Sequence, residues 1–218
     1  MKLWRLSDPY NYGFARSGRV GGTWQEAEYR ERKHPIIIEW EPDSDIIGDF
    51  TWPGLATDIL VTDRVGSIIT ASQVEGFELL TVEMRENSEP KKRPSKGRRV
   101  RLPYSGPRLW DLWVTAWTHI DRSRSTITVT EREDGSVAYE VSGVERRERI
   151  WDQRQMELVT KISPRTEGQG LFVPPIRGIF RIEEFPAWVF CTNDIKQLIE
   201  KHGFTNVSFL EMGEVLNK

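Results

Sequence analysis

Two stretches of the chain share one pattern of apolar residues, and that pattern predicts the fold. The first begins Ile59-Leu60-Val61-Thr62-Asp63-Arg64-Val65 and extends to Met84. The second begins Val189-Phe190-Cys191-Thr192-Asn193-Asp194-Ile195 and extends to Glu214. The two align without a gap when Thr62 is placed on Thr192. Each stretch predicts a short strand, a threonine N-cap, a helix with apolar residues at i, i+3 and i+4, and a second strand.

The similarity between the two stretches is one of pattern more than of identity. Their identical aligned residues are Thr62 with Thr192, Ile69 with Ile199, and Leu80 with Leu210. These identities leave two interpretations open, an internal duplication or two ordinary strand-helix-strand units of one fold. Under both interpretations, similar units enclose a middle segment that matches neither. We therefore expect function to depend more on that middle.

The bulk composition is that of a globular protein with a sizeable core. The chain has 218 residues, 38% of them hydrophobic, and no linker that separates two cores. We predict one α+β domain over residues 1–218, with antiparallel or mixed sheet and two principal helices near residues 62–72 and 192–202. A formal charge of −2 gives no whole-molecule attraction to nucleic acid or to a membrane. The lack of a long apolar run predicts a cytoplasmic protein.

Strand signals dominate the rest of the chain. A β-branched run from Pro35 to Trp40 predicts a strand. Residues 109–117 fit either a helical tryptophan stripe or strand alternation, and their density of Val, Thr and Trp favours a strand. The nine tryptophans of the chain fill the core or anchor an interface, and the sequence does not separate these two roles.

Turn and loop signals divide the remaining segments. Residues 125–141 predict a hairpin whose Asp134-Gly135 tip suits a type I′ turn. Residues 144–156 fit a short helix or an exposed strand. Residues 1–34 mix Tyr, Gly, Arg and Trp with little periodicity, which predicts loops and short strands.

The sequence offers little for catalysis or for metal binding. The histidines, His34, His119 and His202, are far apart, and none has a second histidine or a cysteine at ligand spacing. The single cysteine, Cys191, lies in an apolar run, which predicts a buried thiol rather than a nucleophile. Phosphate-binding glycine loops and the Gly-x-Ser-x-Gly elbow do not occur. We predict a protein that is not an enzyme and that holds no cofactor and no metal.

Two charged segments are the candidate contact sites. Clustered carboxylates can occupy the cationic groove of a nuclease or of another basic partner, and the acidic segment comprises Glu39, Glu41, Asp43, Asp45 and Asp49. Clustered cations can meet phosphates, and the basic segment comprises Lys91, Lys92, Arg93, Lys96, Arg98, Arg99 and Arg101. A solvated loop is the ordinary interpretation of each segment. Nearby glutamates and the lack of interleaved aromatic residues disfavour nucleic acid as a partner.

Four segments, taken in order, resemble the bacterial double-CXXCG motif proteins. They are Met1-Lys2-Leu3-Trp4-Arg5-Leu6, the turn Asp49–Gly54 with Leu60–Val65 after it, the run Leu109–Trp117, and the ending Val189–Ile195. The resemblance spans nearly the whole chain, and the order of the segments carries it. More loosely, the two terminal units are similar to those of bacterial immunity proteins, which neutralise toxins delivered between competing cells.

The chain lacks the two Cys-x-x-Cys-Gly knuckles of that family's pattern. Gly18-Arg19-Val20-Gly21-Gly22 stands in place of the first, and the Asp134-Gly135 hairpin in place of the second. A zinc-ribbon role does not carry over, and we expect the hairpin turn to hold the geometry by itself. The resemblance implies a cytoplasmic, non-enzymatic protein that binds a cognate protein toxin, with a nuclease as the toxin that suits the acidic segment. Association with nucleic acid through the basic segment is the alternative, and the oligomeric state stays open.

Overall fold

Strands outnumber helices in the computed structural model, which describes residues 1–10, 13–21, 26–31, 34–41, 44–53, 58–86, 98–152 and 157–217. The helices of these ranges are α1 (Glu26–Glu31), α2 (Asp63–Ala71) and α3 (Asn193–Lys201). The strands up to the middle of the chain are β1 (Lys2–Ser7), β2 (Ser17–Arg19), β3 (Ile36–Trp40), β4 (Phe50–Thr51), β5 (Leu60–Thr62), β6 (Phe77–Leu80), β7 (Val82–Arg85), β8 (Leu109–Val114) and β9 (Trp117–Thr118). The strands that follow are β10 (Ile127–Glu131), β11 (Val137–Val141), β12 (Arg146–Asp152), β13 (Glu157–Ser163), β14 (Leu171–Val173), β15 (Ile179–Ile182), β16 (Phe185–Thr192) and β17 (Ser208–Val215).

The first repeated stretch folds as predicted, into β5, α2 and β6. Helix α2 buries Val65 and Ile69, which lie one turn apart on its apolar face. The helix ends at Ala71 and is followed by the C-cap residue Ser72, whose backbone N–H donates to the carbonyl of Ile68. Strands β5 and β6 do not pair with each other, because β8 lies between them and pairs antiparallel with both. The first unit is therefore a β-α-β arrangement split by a third strand.

The second stretch forms the same arrangement from β16, α3 and β17. Helix α3 buries Ile195 and Ile199, the residues aligned with Val65 and Ile69. The strand between β16 and β17 is β1, which pairs antiparallel with both. The N-terminal strand of the chain thus completes the C-terminal unit.

The prediction of loops and short strands for residues 1–34 was incomplete. It included short strands without placing β1, a six-residue central strand, and it did not include helix α1. Within β1, Leu3, Leu6 and Ser7 are buried and both intervening residues are partly covered. A strand covered on both faces lacks the clean alternation by which a half-exposed strand is recognised.

The two inserted strands carry a further repeat. Both β8 and β1 contain the sequence Leu-Trp-x-Leu, with the tryptophans at Trp110 and Trp4. Their pairing registers are equivalent, since Trp110 lies opposite Val61 and Trp4 lies opposite Cys191, the residue aligned with Val61. Strand order and register therefore agree between the units along all three strands.

Each of these tryptophans anchors the start of the helix in its own unit. The indole N–H of Trp110 donates to Asp63 Oδ1 at 2.9 Å, and that of Trp4 donates to Asn193 Oδ1 at 3.0 Å. Asp63 and Asn193 are the first residues of α2 and α3 and are aligned with each other. The recurrence of one side-chain contact, in addition to the register, favours an internal duplication over two unrelated units.

The threonines before the helices hold the N-cap position without capping. Thr62 and Thr192 have extended backbones, yet neither side chain bonds to the N-terminus of its helix. The Thr62 hydroxyl instead donates to Asp49 Oδ1 at 3.2 Å, and Thr192 Oγ1 accepts the N–H of Gly178 at 3.3 Å. The prediction is right about the position of the two threonines and wrong about their hydrogen bonds, because each hydroxyl bonds to a residue outside its own helix.

Reciprocal backbone hydrogen bonds join each unit to the strand that pairs with the first strand of the other unit. Strand β4 pairs with β5, and β15 pairs with β16 at the equivalent edge. The N–H of Phe50 in β4 donates to the carbonyl of Thr205 at 3.2 Å, and that of Ile179 in β15 donates to the carbonyl of Glu75 at 3.0 Å. Glu75 and Thr205 are aligned positions in the turns after α2 and α3. The interface between the units is therefore close to twofold symmetric.

Three clusters of buried apolar side chains form the core. The first joins both units and includes Val65 of α2 and Ile195 of α3. The second covers the other face of the second unit around Phe190, and the third covers the other face of the first unit around Ile38 and Leu60. The shared first cluster makes the two units one domain. The predicted α+β class, with antiparallel and mixed sheets and two principal helices, is confirmed.

Two hairpins form most of the segment between the units. Strand β10 pairs with β11, which confirms the predicted hairpin, and β12 pairs with β13, which selects the strand over the helix in residues 146–152. The tip of the first hairpin is not a type I′ turn, because within it Gly135 alone has a positive φ, +79°. Strand pairing ends at Glu131 and Val137, so the loop is longer than two residues.

Asp49 generates the first prediction, because its side chain joins the units. Its Oδ2 accepts the N–H of Thr205 at 2.9 Å, the Thr205 hydroxyl at 3.0 Å and Arg64 Nη1 at 2.9 Å. We expect Asp49→Ala to lower the free energy of unfolding by about 1–2 kcal/mol, since these donors lose their acceptor at a partly exposed site. Urea denaturation measures the change. The exposed Asp45 supplies the control, Asp45→Ala, with an expected change within about 0.5 kcal/mol. Equal effects of the two substitutions contradict the role of Asp49.

Candidate functional site

The predicted acidic segment is spread over the fold rather than gathered in one patch. Glu39 is half-buried in β3, and Glu41 Oε2 lies 3.6 Å from Arg16 Nε. Asp45 is exposed, whereas Asp49 bonds to the second unit. Of these four residues, Asp45 is exposed and the other three are partly buried.

The structure describes the C-terminal end of the basic segment, residues 98–101. Arg98, Arg99 and Arg101 are exposed, and Val100 between them packs against the third core cluster. This anchoring keeps the three guanidinium groups at the surface. The predicted site residues that lie outside the described residues are Asp43, Lys91, Lys92, Arg93 and Lys96.

The tip of the β10–β11 hairpin carries acidic residues that sequence reasoning did not treat as a site. Glu131, Glu133 and Asp134 are exposed there, together with Arg132. Asp134 Oδ1 accepts the hydroxyl of Ser136 at 2.6 Å and its N–H at 2.9 Å. These hydrogen bonds hold the pKa of Asp134 below its ordinary value, so this carboxylate is charged at neutral pH.

On one face of the same hairpin, apolar side chains extend from the second core cluster out to the solvent-exposed surface. Val141 is buried at its base, and the ring of Tyr139 lies 6.0 Å from that of Phe185. Farther along this face, Val129 and Val137 are 50% and 45% exposed, which makes them two of the four exposed large apolar residues in the described part of the chain. Cross-strand pairs share a face of the sheet. The hairpin thus presents an apolar stripe that ends at the acidic tip.

His34, which is isolated in the sequence, lies beside a buried carboxylate in the fold. Its Nδ1 is 3.6 Å from Asp111 Oδ2, and its ring packs edge-on against Trp113 with centroids 5.2 Å apart. Asp111 is fully buried, while 28% of the His34 side chain is exposed. A separation of 3.6 Å is longer than a hydrogen bond. The contact becomes an ion pair when His34 is protonated.

Cys191 lies in the first core cluster and is fully buried. Burial raises the pKa of its thiol well above the ordinary value, which keeps the sulfur protonated and inert. In the described part of the chain, no group of three or more His, Cys, Asp and Glu residues is placed to hold a metal ion. None of the helices described there is long and apolar enough to cross a membrane.

Comparison with known proteins assigns no family to this arrangement. No protein-family model matches the sequence, and no curated protein matches it either. The resemblance to the double-CXXCG motif proteins therefore stays an expectation.

The burial of Cys191 gives a direct chemical prediction. The native protein should not react with Ellman's reagent at mildly alkaline pH, because the reagent cannot reach the sulfur and the raised pKa keeps the thiolate scarce. The protein unfolded in guanidinium should release one equivalent of chromophore, as expected for its single cysteine. Rapid labelling of the native protein contradicts the inert role.

Proposed function

We propose that this chain is a non-enzymatic binding protein that neutralises a cognate protein toxin by covering its active surface, as the immunity proteins that it resembles do. The observation that carries the proposal is the β10–β11 hairpin. It lies in the segment that matches neither unit, and it presents an apolar stripe next to an acidic tip. A scaffold of two similar units supports it.

The chemistry of the hairpin suits a partner surface that is both apolar and basic. Val129 and Val137 supply apolar area that becomes desolvated on contact, which is what the centre of a protein interface needs. The tip carboxylates of Glu131, Glu133 and Asp134 attract a cationic surface over a distance and raise the rate of encounter. A nuclease has such a cationic surface where it binds phosphates. A nuclease toxin is accordingly the partner we propose.

The acidic segment of the sequence analysis has a smaller share of the same features, and we assign it a minor part in the contact. Its exposed carboxylate, Asp45, is followed by Ile46, which is 52% exposed. The combination of charge and apolar area resembles that of the hairpin on a smaller scale. Asp49 is unsuited to a test of binding, because its loss perturbs the bonds between the units.

Nucleic-acid association is the second candidate function. The observation that favours it is the exposure of Arg98, Arg99 and Arg101 around the anchored Val100. This function predicts affinity for free nucleic acid that falls steeply as salt increases, because phosphate contacts release counterions. A toxin inhibitor should show no such affinity.

The binding test compares two variants that each remove three carboxylates. One is Glu131→Gln with Glu133→Gln and Asp134→Asn, and the other is Glu39→Gln with Glu41→Gln and Asp45→Asn. The partner is the protein that copurifies with the chain at one-to-one ratio and is toxic when expressed alone. We expect the hairpin variant to slow association about tenfold at low salt, and the matched variant to change it less than about twofold. Surface plasmon resonance at two salt concentrations measures both rates.

Three outcomes count against these assignments. Equal slowing by both variants removes the hairpin as the main contact while leaving the function in place. Toxicity that persists when the two proteins are coexpressed contradicts neutralisation. Recovery of nucleic acid at low salt, with loss at moderate salt and on charge reversal of Arg98 and Arg99, transfers the function to the basic segment.

A further inference from the structure

An open cavity of about 430 Å³ lies beside the third core cluster. Its volume falls within the range of about 300–1,000 Å³ that is usual for small-molecule sites. Strand β7, the start of β8 and the segment before β8 form its walls. The lining residues are Thr81, Val82, Met84, Leu102, Tyr104, Arg108 and Leu109.

The wall around Tyr104 is held in place by packing and by a hydrogen bond. Its ring stacks on Trp40 at a centroid distance of 6.0 Å, and its hydroxyl donates to the carbonyl of Pro107 at 2.7 Å. Gly106 permits this position, because a Cβ there would lie 2.5 Å from the hydroxyl oxygen. Burial raises the pKa of Tyr104 to about 12, so the ring carries no charge at neutral pH.

The equivalent place in the second unit contains a cation with its own carboxylate. Lys2 Nζ lies 5.6 Å from the ring centroid of Trp4 and 2.7 Å from Glu211 Oε2. Arg108 occupies the position of Lys2 in the first unit, with its guanidinium 3.7 Å from the ring centroid of Trp110. The cation on the tryptophan is thus present in both units.

The carboxylate is present in the second unit alone. The residue aligned with Glu211 is Thr81, which lines the cavity together with Arg108. Arg108 forms no ion pair with any residue that the structure describes. Partial burial of Glu211 acts to raise its pKa, yet hydrogen bonds from Lys2 and Arg165 outweigh it and hold that pKa below its ordinary value. In the second unit, this place therefore favours a charged carboxylate.

We propose that the cavity binds a small organic acid, with its carboxylate on Arg108 in the place that Glu211 takes in the second unit. Its apolar body lies against Val82, Met84 and Leu102. A guanidinium binds a carboxylate through two parallel hydrogen bonds, and this geometry makes the site selective for a carboxylate head group. The apolar wall supplies the affinity for the rest of the molecule. The cavity lies beside the third core cluster, whereas the β10–β11 hairpin packs on the second, and the test of the cavity does not depend on the proposed function.

The probes are phenylbutyrate, phenylbutylamine and phenylbutanol, which share an apolar body and differ in the head group. Their binding is followed by shifts of backbone amide signals in two-dimensional NMR spectra of the full chain. We expect phenylbutyrate to shift the amide signals of the non-proline residues within 102–109 in a saturable way. The amine and the alcohol should bind at least about tenfold more weakly, because they lose an ionic hydrogen-bonded pair.

Three variants decide the role of Arg108. Arg108→Gln should weaken phenylbutyrate binding about tenfold, and Thr81→Glu should do the same by supplying the carboxylate that Glu211 supplies in the second unit. Lys2→Gln is the matched control, because it removes the equivalent cation from the other unit, and it should leave binding within about twofold. All three positions are partly or fully exposed, and melting temperatures verify folding.

The proposal is overturned by any of three results. Phenylbutanol that binds as tightly as phenylbutyrate shows that the head group is not recognised. Equal loss of affinity in Lys2→Gln and Arg108→Gln shows that the charge acts from a distance rather than in the cavity. The absence of saturable shifts at residues 102–109 with millimolar phenylbutyrate shows that no such site exists.

Discussion

The pairing of a third strand between the two strands of each unit is the constraint on which the remaining structure depends. Strands β5 and β6 flank β8, and β16 and β17 flank β1. Without the inserted strand, the two flanking strands of each unit would not belong to one hydrogen-bonded sheet. The backbone groups along those edges would otherwise be buried without partners. The insertion also brings Trp110 and Trp4 to the first residues of α2 and α3, where their indoles fix the helices. One interaction thus sets sheet order, helix position and the shared core.

The framework recurs in both units, while the side chains at equivalent places differ. Asp111 in β8 is buried beside His34, whereas the aligned Arg5 in β1 lies 4.1 Å from the ring of Trp188. Burial lowers the pKa of Arg5 to about 10. Lys2 has a carboxylate partner, whereas Arg108 has none among the residues that the structure describes. The backbone pairing is the same in both units, but the polar side chains differ. The two similar units therefore present different chemical groups at equivalent places.

Local pattern predicted the two principal helices and most strands correctly, but it did not show how the acidic side chains are arranged. Helices α2 and α3 have apolar residues at helical spacing, and the hairpin at residues 125–141 has strand alternation around a turn. The acidic segment illustrates the limit. Its members are close in sequence, yet Asp49 turns inward to Thr205 while Asp45 stays exposed. Neighbours along a chain share a surface only when the fold turns them the same way.

The sequence by itself determined the α+β class, the positions of the two principal helices, the hairpin and the buried state of Cys191, because each depends on apolar spacing or turn residues within a short segment. Tertiary structure alone decided that Lys2–Ser7 completes the C-terminal unit, that the Thr62 hydroxyl bonds to Asp49, and that Arg108 faces a cavity where Lys2 faces Glu211. Each of these contacts joins residues distant in the chain. Their formation depends on strand register, which arises only when the whole sheet assembles.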